Sequence, residues 1–246
     1  MRYLPRLPLP KKAAVYFVRR QTRANQQKAA GTLDVNKAWK EAGPVSIKAA
    51  RDTLKTMAGA RHRCMYCSDS AGTDIDHFWP KARFHGRMFQ WLNMVLCCSG
   101  CGALKSSRFP RVNGKPLLLD PTVDDPWRFL EYSPNYGQLV PLATPRFKVH
   151  AKRAEKTVEV MRLDEREALE TGYKKSYRRI MRTLDAALVD PAPVAATLIA
   201  DLRDDDDHGL LGWIFRGTGA NEPRVLQMKQ VHPAVWQACE QALRNS

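Results

Sequence analysis

The chain has 246 residues, 44% of them apolar and 26% charged, with a net charge of +15. That length buries a sizeable core in one or two domains, and no run approaches the roughly 18 apolar residues of a membrane span. Prolines and charges stand at the N-terminus where a secretory signal would carry its apolar core, so a cytoplasmic protein without membrane contact is expected.

The charge is uneven. Residues 1–115 carry 22 Lys and Arg against 6 Asp and Glu, whereas the remaining 131 carry 18 against 19. A basic surface confined to one half attracts polyanions, and neutralising phosphates supplies most nucleic-acid affinity.

In chain order, the first 30 residues read as a Pro-rich basic arm without strong periodicity, suited to ordering on a partner. A short helix follows within "TLDVNKAWKEAG", with Asp34 or Asn36 as N-cap and Gly43 as a stop. Pro44 breaks the chain. A second helix recurs at Ile47, Ala50, Leu54 and Met57 and ends at Gly59. From Ala60 to about Pro110, cysteines, aromatics, glycines and short β-like runs replace helical periodicity. Asn113-Gly114, Pro121, Pro134-Asn135 and Gly137 signal turns, and Arg128–Tyr132 with Gln138–Leu142 read as a hairpin.

The stretch after residue 146 is strongly helical. Val158, Met161, Leu169, Tyr173, Tyr177, Ile180, Met181 and Leu184 form a buried stripe with a break at Leu163-Asp164. Another helix runs from beyond Pro191 to the acidic run Asp204–Asp207, and a last one begins near Ala234. The predicted class is α+β, mainly helical. Residues 1–59 form an arm with helices, 60–145 a small zinc-stabilised unit, and 146–246 a helical domain.

Four of the six cysteines form two pairs, Cys64-x-x-Cys67 and Cys98-x-x-Cys101. Each pair fits a tight turn that aims two thiolates inward, and four sulfurs close a tetrahedron around Zn²⁺. Such a site has no open position, so its role is structural. Cys97 and Cys239 read as small buried hydrophobes.

Between the pairs lies "TDIDHFWP". A phosphodiester hydrolase needs a base to activate water and a divalent cation to screen the phosphate. His77 suits the first task, since its ordinary pKa near 6.5 leaves it unprotonated at neutral pH. Asp76 suits the second, because Mg²⁺ prefers oxygen ligands. Neighbours in a strand point to opposite faces, so both residues serve one site only where the strand ends or bulges. Trp79-Pro80 supplies such a stop.

The pattern Cys64-x-x-Cys67, Asp76-His77-Phe78-x-Pro80-Lys81, Trp91-x-Asn93, Cys98-x-x-Cys101-x-x-x-Lys105 resembles the HNH endonuclease superfamily with its ββα-metal fold. The wording of residues 61–132 is similar to a narrower group, the HNH proteins of Septu-type and retron-associated antiphage systems, which work beside an ABC-type ATPase. The resemblance implies His77 as general base, Asn93 as the residue that holds the loop behind it, and Asp76 as ligand of a catalytic Mg²⁺ or Mn²⁺. Cys64, Cys67, Cys98 and Cys101 would be the structural zinc ligands. Lys81, Arg83 and Lys105, with Arg61 and Arg63, would contact nucleic acid. DNA is the preferred substrate; RNA, including tRNA, is the alternative.

One position departs from the pattern. After the last zinc cysteine the family carries Asn or His as a further metal ligand, and this chain has Gly102. Water or His85 would have to take its place. The rival reading is a zinc-ribbon nucleic-acid-binding or adaptor protein that does not cut. The run Asp204–Asp207 reads as a solvated loop or an interaction surface rather than a metal site, and the basic, Tyr-containing stretch 173–182 as half core, with nucleic-acid contact as the alternative.

Overall fold

The computed structural model describes residues 1–144 and 147–244. The chain is mainly helical with small antiparallel two-stranded sheets. It falls into two compact units: Leu4–Tyr66 with Ser70–Val123, and Met1–Tyr3 with Cys67–Asp69 and Asp124–Ser246. The N-terminal helices therefore share a unit with most of the cysteine segment, and the hairpin near residue 135 groups with the C-terminal helices rather than with that segment.

The first unit opens with α1 (Lys11–Ala29), where the sequence reading expects an arm without periodicity. Only Ala13, Phe17 and Ala24 are buried on it, a stripe too narrow to read as amphipathic. Tertiary contacts hold the helix, as they do most short helices in proteins. Phe17 stacks on Phe89 at 6.3 Å, the Tyr16 hydroxyl accepts the Gly43 N–H at 2.8 Å, and Gln21 Oε1 accepts the Phe89 N–H at 2.8 Å. Helix α2 (Val35–Lys40) begins at Asp34, whose carboxylate accepts the Lys37 N–H at 2.9 Å. Helix α3 (Pro44–Met57) uses Pro44 as its first residue, where no N–H is needed. It buries Ala50, Leu54 and Met57.

Strand β1 (Asp74–His77) pairs antiparallel with β2 (Met94–Cys97), Asp74 opposite Cys97 and His77 opposite Met94. Helix α4 (Ser99–Lys105) follows directly, its N-cap being Cys98. The tiny hairpin of β3 (Arg111–Val112) and β4 (Lys115–Pro116) turns on Asn113 and Gly114. Both residues sit at positive φ, 49° and 74°, as a two-residue hairpin turn requires.

In the second unit, β5 (Leu130–Ser133) pairs antiparallel with β6 (Gln138–Pro141), within a residue or two of the hairpin read from the sequence. Tyr132 faces inward and stacks on the fully buried Tyr173 at 5.8 Å. Helix α5 (Lys148–Met161) ends at Arg162 in the left-handed conformation, and α6 (Glu167–Val189) starts after the Leu163-Asp164 break. Then come α7 (Ala195–Asp205), α8 (Leu210–Arg216), α9 (Pro223–Val231) and α10 (Pro233–Leu243).

Within the acidic run Asp204 is exposed, but Asp205, Asp206 and Asp207 are tied into the fold rather than solvated. Asp206 Oδ1 accepts the N–H groups of His208, Gly209 and Leu210, and Oδ2 that of Leu211, so one buried carboxylate caps the start of α8. Asp207 pairs with Arg179 at 2.5 Å, and Asp205 accepts the Thr183 hydroxyl at 2.6 Å. Charge density alone does not reveal a cap, because the receiving N–H groups belong to backbone that only the fold brings round.

Candidate functional site

All four paired cysteines are buried, and their sulfurs lie within 4.8 Å of one another. Four thiolates at about 2.3 Å from Zn²⁺ stand roughly 3.8 Å apart, so the set fits a tetrahedral zinc with little adjustment. The Cys101 N–H donates to Cys98 Sγ at 3.4 Å, a contact that favours the thiolate. The preceding backbone is tied down on both sides: Cys64 N–H donates to the Ser70 carbonyl at 2.8 Å, and Met65 N–H to the Leu96 carbonyl at 2.9 Å. Cys97 and Cys239 are buried as expected. Burial, with the nearby Asp76 carboxylate second, holds the Cys97 thiol well above its ordinary pKa, so it stays protonated.

Strand β1 stops at His77, and the chain turns away with the Phe78 N–H on the Asn93 carbonyl at 2.8 Å. Because the strand ends there, Asp76 and His77 both line one cleft of about 260 Å³, together with Trp39, Ile75, Pro80, Lys81, Ala82, Ser106 and Ser107.

His77 is more enclosed than the sequence suggests, only 5% exposed, with its ring edge-on to Trp39 at 4.4 Å. Nε2 lies 2.8 Å from the Met88 carbonyl oxygen. A carbonyl only accepts, so Nε2 carries the proton and Nδ1 keeps the lone pair. Burial lowers the His77 pKa to about 4, so the ring is neutral at pH 7.

Asn93 does not line the cleft. It clamps the loop: Oδ1 accepts the Trp79 N–H at 2.7 Å, while Nδ2 donates to the carbonyls of Trp79 and Arg87, each at 3.0 Å. That clamp closes the 78–93 loop behind His77, whose anchor Met88 lies within it.

Asp76 is held from two sides. Its Oδ2 accepts the Tyr66 hydroxyl at 2.7 Å and faces Lys105 Nζ at 2.8 Å, and the same ammonium donates to the His77 carbonyl at 2.7 Å. Burial first, and then Asp76, keep Tyr66 protonated by raising its pKa well above the ordinary value. Lys105 has no exposed surface. This corrects the reading of Lys105 as a phosphate contact: its charge serves Asp76 and the end of β1. Deleting one partner of a buried ion pair leaves the other uncompensated and costs about 3–5 kcal/mol. Lys105→Met should therefore lower stability on that scale, measured by urea unfolding, whereas Lys81→Met should change it by less than about 1 kcal/mol.

The other basic candidates are placed differently. Lys81 lines the cleft, with its ammonium on Asn36 Oδ1 at 2.7 Å. Arg83 and Arg61 are exposed and Arg63 is half-buried. His85 sits on a 3₁₀ turn, His85–Arg87, and does not line the cleft. Gly102 lies in α4 without positive φ, and a Cβ there would meet only Cys97 Sγ at 3.5 Å, an ordinary contact. Neither conformation nor space at the root of a side chain demands glycine.

Among the described residues, the four cysteines are the one cluster of three or more metal-ligating side chains. Asp76 is, among the described residues, the only carboxylate lining the cleft. One carboxylate is within the range by which Mg²⁺ is anchored, since that ion keeps several waters and uses substrate phosphates.

Two features sequence reasoning missed are Tyr66 and the neighbourhood of Arg87. Tyr66 sits between two of the clustered cysteines and reads as filler there; its hydroxyl proves to orient Asp76. Arg87 lies 4.5 Å from the centre of the Trp79 ring. No sequence signal marks Tyr66, whereas an Arg among aromatics near the Asp-His pair is a signal that could have been used.

The site is thus a cysteine-clamped β-hairpin and helix carrying a neutral imidazole beside a carboxylate in a cleft. Over 183 residues, 63% of this chain and 69% of the relative, the sequence is 24% identical to the Septu protein PtuB of Bacillus thuringiensis. No family model matches the chain, and no solved structure matches it. Among the described residues no helix is long and apolar enough to cross a membrane.

Proposed function

We propose that the chain is an HNH-type endonuclease with a ββα-metal core, hydrolysing phosphodiester bonds at the Asp76–His77 cleft. We propose further that it is a component of an antiphage defence system of the Septu kind, acting with an ABC-type ATPase. The observation that carries the chemistry is the His77 ring: neutral, oriented by the Met88 carbonyl, with Nδ1 left as base. His77 takes a proton from the attacking water as its oxygen bonds to phosphorus, and the leaving oxygen is protonated from solvent. Asp76 would hold a divalent cation, Mg²⁺ or Mn²⁺, which when bound screens the phosphate and stabilises the leaving oxygen. Zn²⁺ at the four cysteines would fix the hairpin. The likeness to PtuB supports the defence setting.

A second reading, binding without cutting, is favoured by Gly102 and by the Lys105 ammonium against Asp76. The two are separated by incubating the protein, alone and with the product of its genomic neighbour, with plasmid, phage DNA and total RNA. Mg²⁺, Mn²⁺ or a chelator forms the second variable. Cutting that needs the divalent ion supports the nuclease; retention of nucleic acid with no cut under any condition supports the rival. Gly102→Asn or Gly102→His adds a ligand where the backbone accepts one. Either should lower the divalent concentration for half-maximal cutting about tenfold, on the scale of changes around metal shells. An unchanged requirement would show that position 102 does not face the cation.

A further inference from the structure

The loop that follows His77 builds a second surface. Trp79, Phe84 and Phe109 pack together, with ring centres 4.9 Å apart for Trp79–Phe84, 4.7 Å for Trp79–Phe109 and 5.7 Å for Phe84–Phe109. Three arginines lie on these rings. The Arg87 guanidinium is 4.5 Å from the Trp79 centroid, Arg111 is 4.8 Å from that of Phe84, and Arg83 is 5.9 Å from Phe84. All three are exposed. Among the described residues none of them has a carboxylate partner, and residues 77–119 contain no Asp or Glu at all. Trp79 immediately precedes Pro80, Lys81 and Ala82, which form one wall of the cleft.

A guanidinium resting on an aromatic face is weakly hydrated and held flat, so its rotamer freedom is already reduced before any ligand arrives. Its N–H edges then point outward in the fork that matches two phosphate oxygens. Three such forks without competing carboxylates make a preorganised anion surface. The ring faces beneath are covered, so bases do not stack on them, and recognition falls on the backbone rather than on sequence.

We infer that Arg83, Arg87 and Arg111, seated on Trp79 and Phe84, form a phosphate-binding platform that holds the nucleic-acid backbone beside the cleft, without sequence preference. The inference rests on the reading of the cleft as a phosphodiester site for its ligand class, but its test needs no cutting. Binding of the zinc-loaded His77→Ala protein to fluorescent duplex DNA, single-stranded DNA and single-stranded RNA is measured in Mg²⁺-free buffer across a salt series. Each phosphate contact contributes about 0.9 to the slope of log K against log salt on duplex, and about 0.7 on a single strand. The Arg83→Gln, Arg87→Gln, Arg111→Gln triple variant should therefore lose about 3 from the slope on duplex, or about 2 on a single strand. Divided by about 0.9 per contact on duplex and about 0.7 on a single strand, the losses become contacts, and the strand type that loses all three identifies the ligand.

Replacing the same three arginines by Lys should retain most of the slope, because the charge remains. Should the triple Gln variant lose zinc or unfold, the three single Gln variants are read instead, each expected to remove about one contact. Neutralising Lys175, Arg178 and Arg182 on α6 serves as the comparison and should leave the slope as in the parent. A parental slope in the platform variants, or a loss only in the α6 set, overturns the inference whether or not the protein cuts. A platform that binds in a protein that never cuts would instead overturn the nuclease reading alone.

Discussion

Removing one zinc thiolate should unfold the first unit rather than merely weaken an ion. Cys98→Ser is expected to abolish stoichiometric zinc and the cooperative unfolding transition of that unit together. Structural zinc sites contribute about 10–16 kcal/mol of apparent binding energy, more than the roughly 5–15 kcal/mol by which a domain is stable. Few residues replace that contribution here. Strands β1 and β2 have four residues each, and a two-stranded hairpin is at best marginal by itself. The 78–93 loop is held by the Asn93 clamp and by contacts of Met88 with His77 and of Phe89 with Phe17 and Gln21, and α1 by those two residues together with Tyr16 on Gly43. Cys98 is also the N-cap of α4, a role that serine keeps, so Cys98→Ser isolates the loss of the thiolate from the loss of the cap. Zinc content by atomic emission and unfolding by circular dichroism check the result. Cys239→Ser, a buried cysteine in α10, should by contrast keep its zinc. A Cys98→Ser protein that unfolds at the parental midpoint would remove the structural role of the cluster.

Where the sequence was legible, one strong local cause dominated. The four-cysteine cluster was legible because two C-x-x-C turns leave few other uses for four thiols, and the meeting of Asp76 and His77 in one cleft because two polar groups in an apolar run require a reason. Helices α3, α5 and α6 announced themselves by periodicity. Other features were hidden because their causes lie in how the backbone folds, near in the chain or far from it. Helix α1 is held by Gln21 on the Phe89 backbone and Tyr16 on Gly43, pairings that a periodicity search does not test. Asp206 looks like one of four equal carboxylates until the backbone of 208–211 turns onto it. Lys105 lies at a spacing that fits a phosphate contact, yet helix α4 turns it inward to the Asp76 carboxylate of β1. A lysine four residues past a zinc cysteine carries no mark that separates these two fates. Burial decides, and burial is a property of the fold.

On the proposed reading, the His77 imidazole decides the chemistry. His77→Ala should slow cutting about 10²–10⁴-fold, the usual contribution of a positioned base, while zinc content and nucleic-acid binding remain. His77→Gln retains a side chain able to reach the Met88 carbonyl but offers no comparable base, so it should be as slow as His77→Ala. If Gln restores the parental rate, the ring serves only to hold the loop. The pH dependence gives an independent sign. Burial moves the folded pKa down to about 4 from an ordinary value near 6.5, so the base is already unprotonated throughout pH 5–8. A cation beside Asp76 pushes in the same direction. The acid limb of the rate profile should therefore fall toward pH 4 instead of bending near 6.5. Stability follows the same residue. A histidine whose pKa is lowered on folding contributes fully above about 6.5, and that contribution fades as pH drops toward 4, because the unfolded chain binds the proton first. His77→Gln should flatten that part of the stability profile, measured by urea unfolding at pH 4.5 and 7. A rate profile that bends at 6.5 in a protein whose His77 remains buried would assign the base to another group.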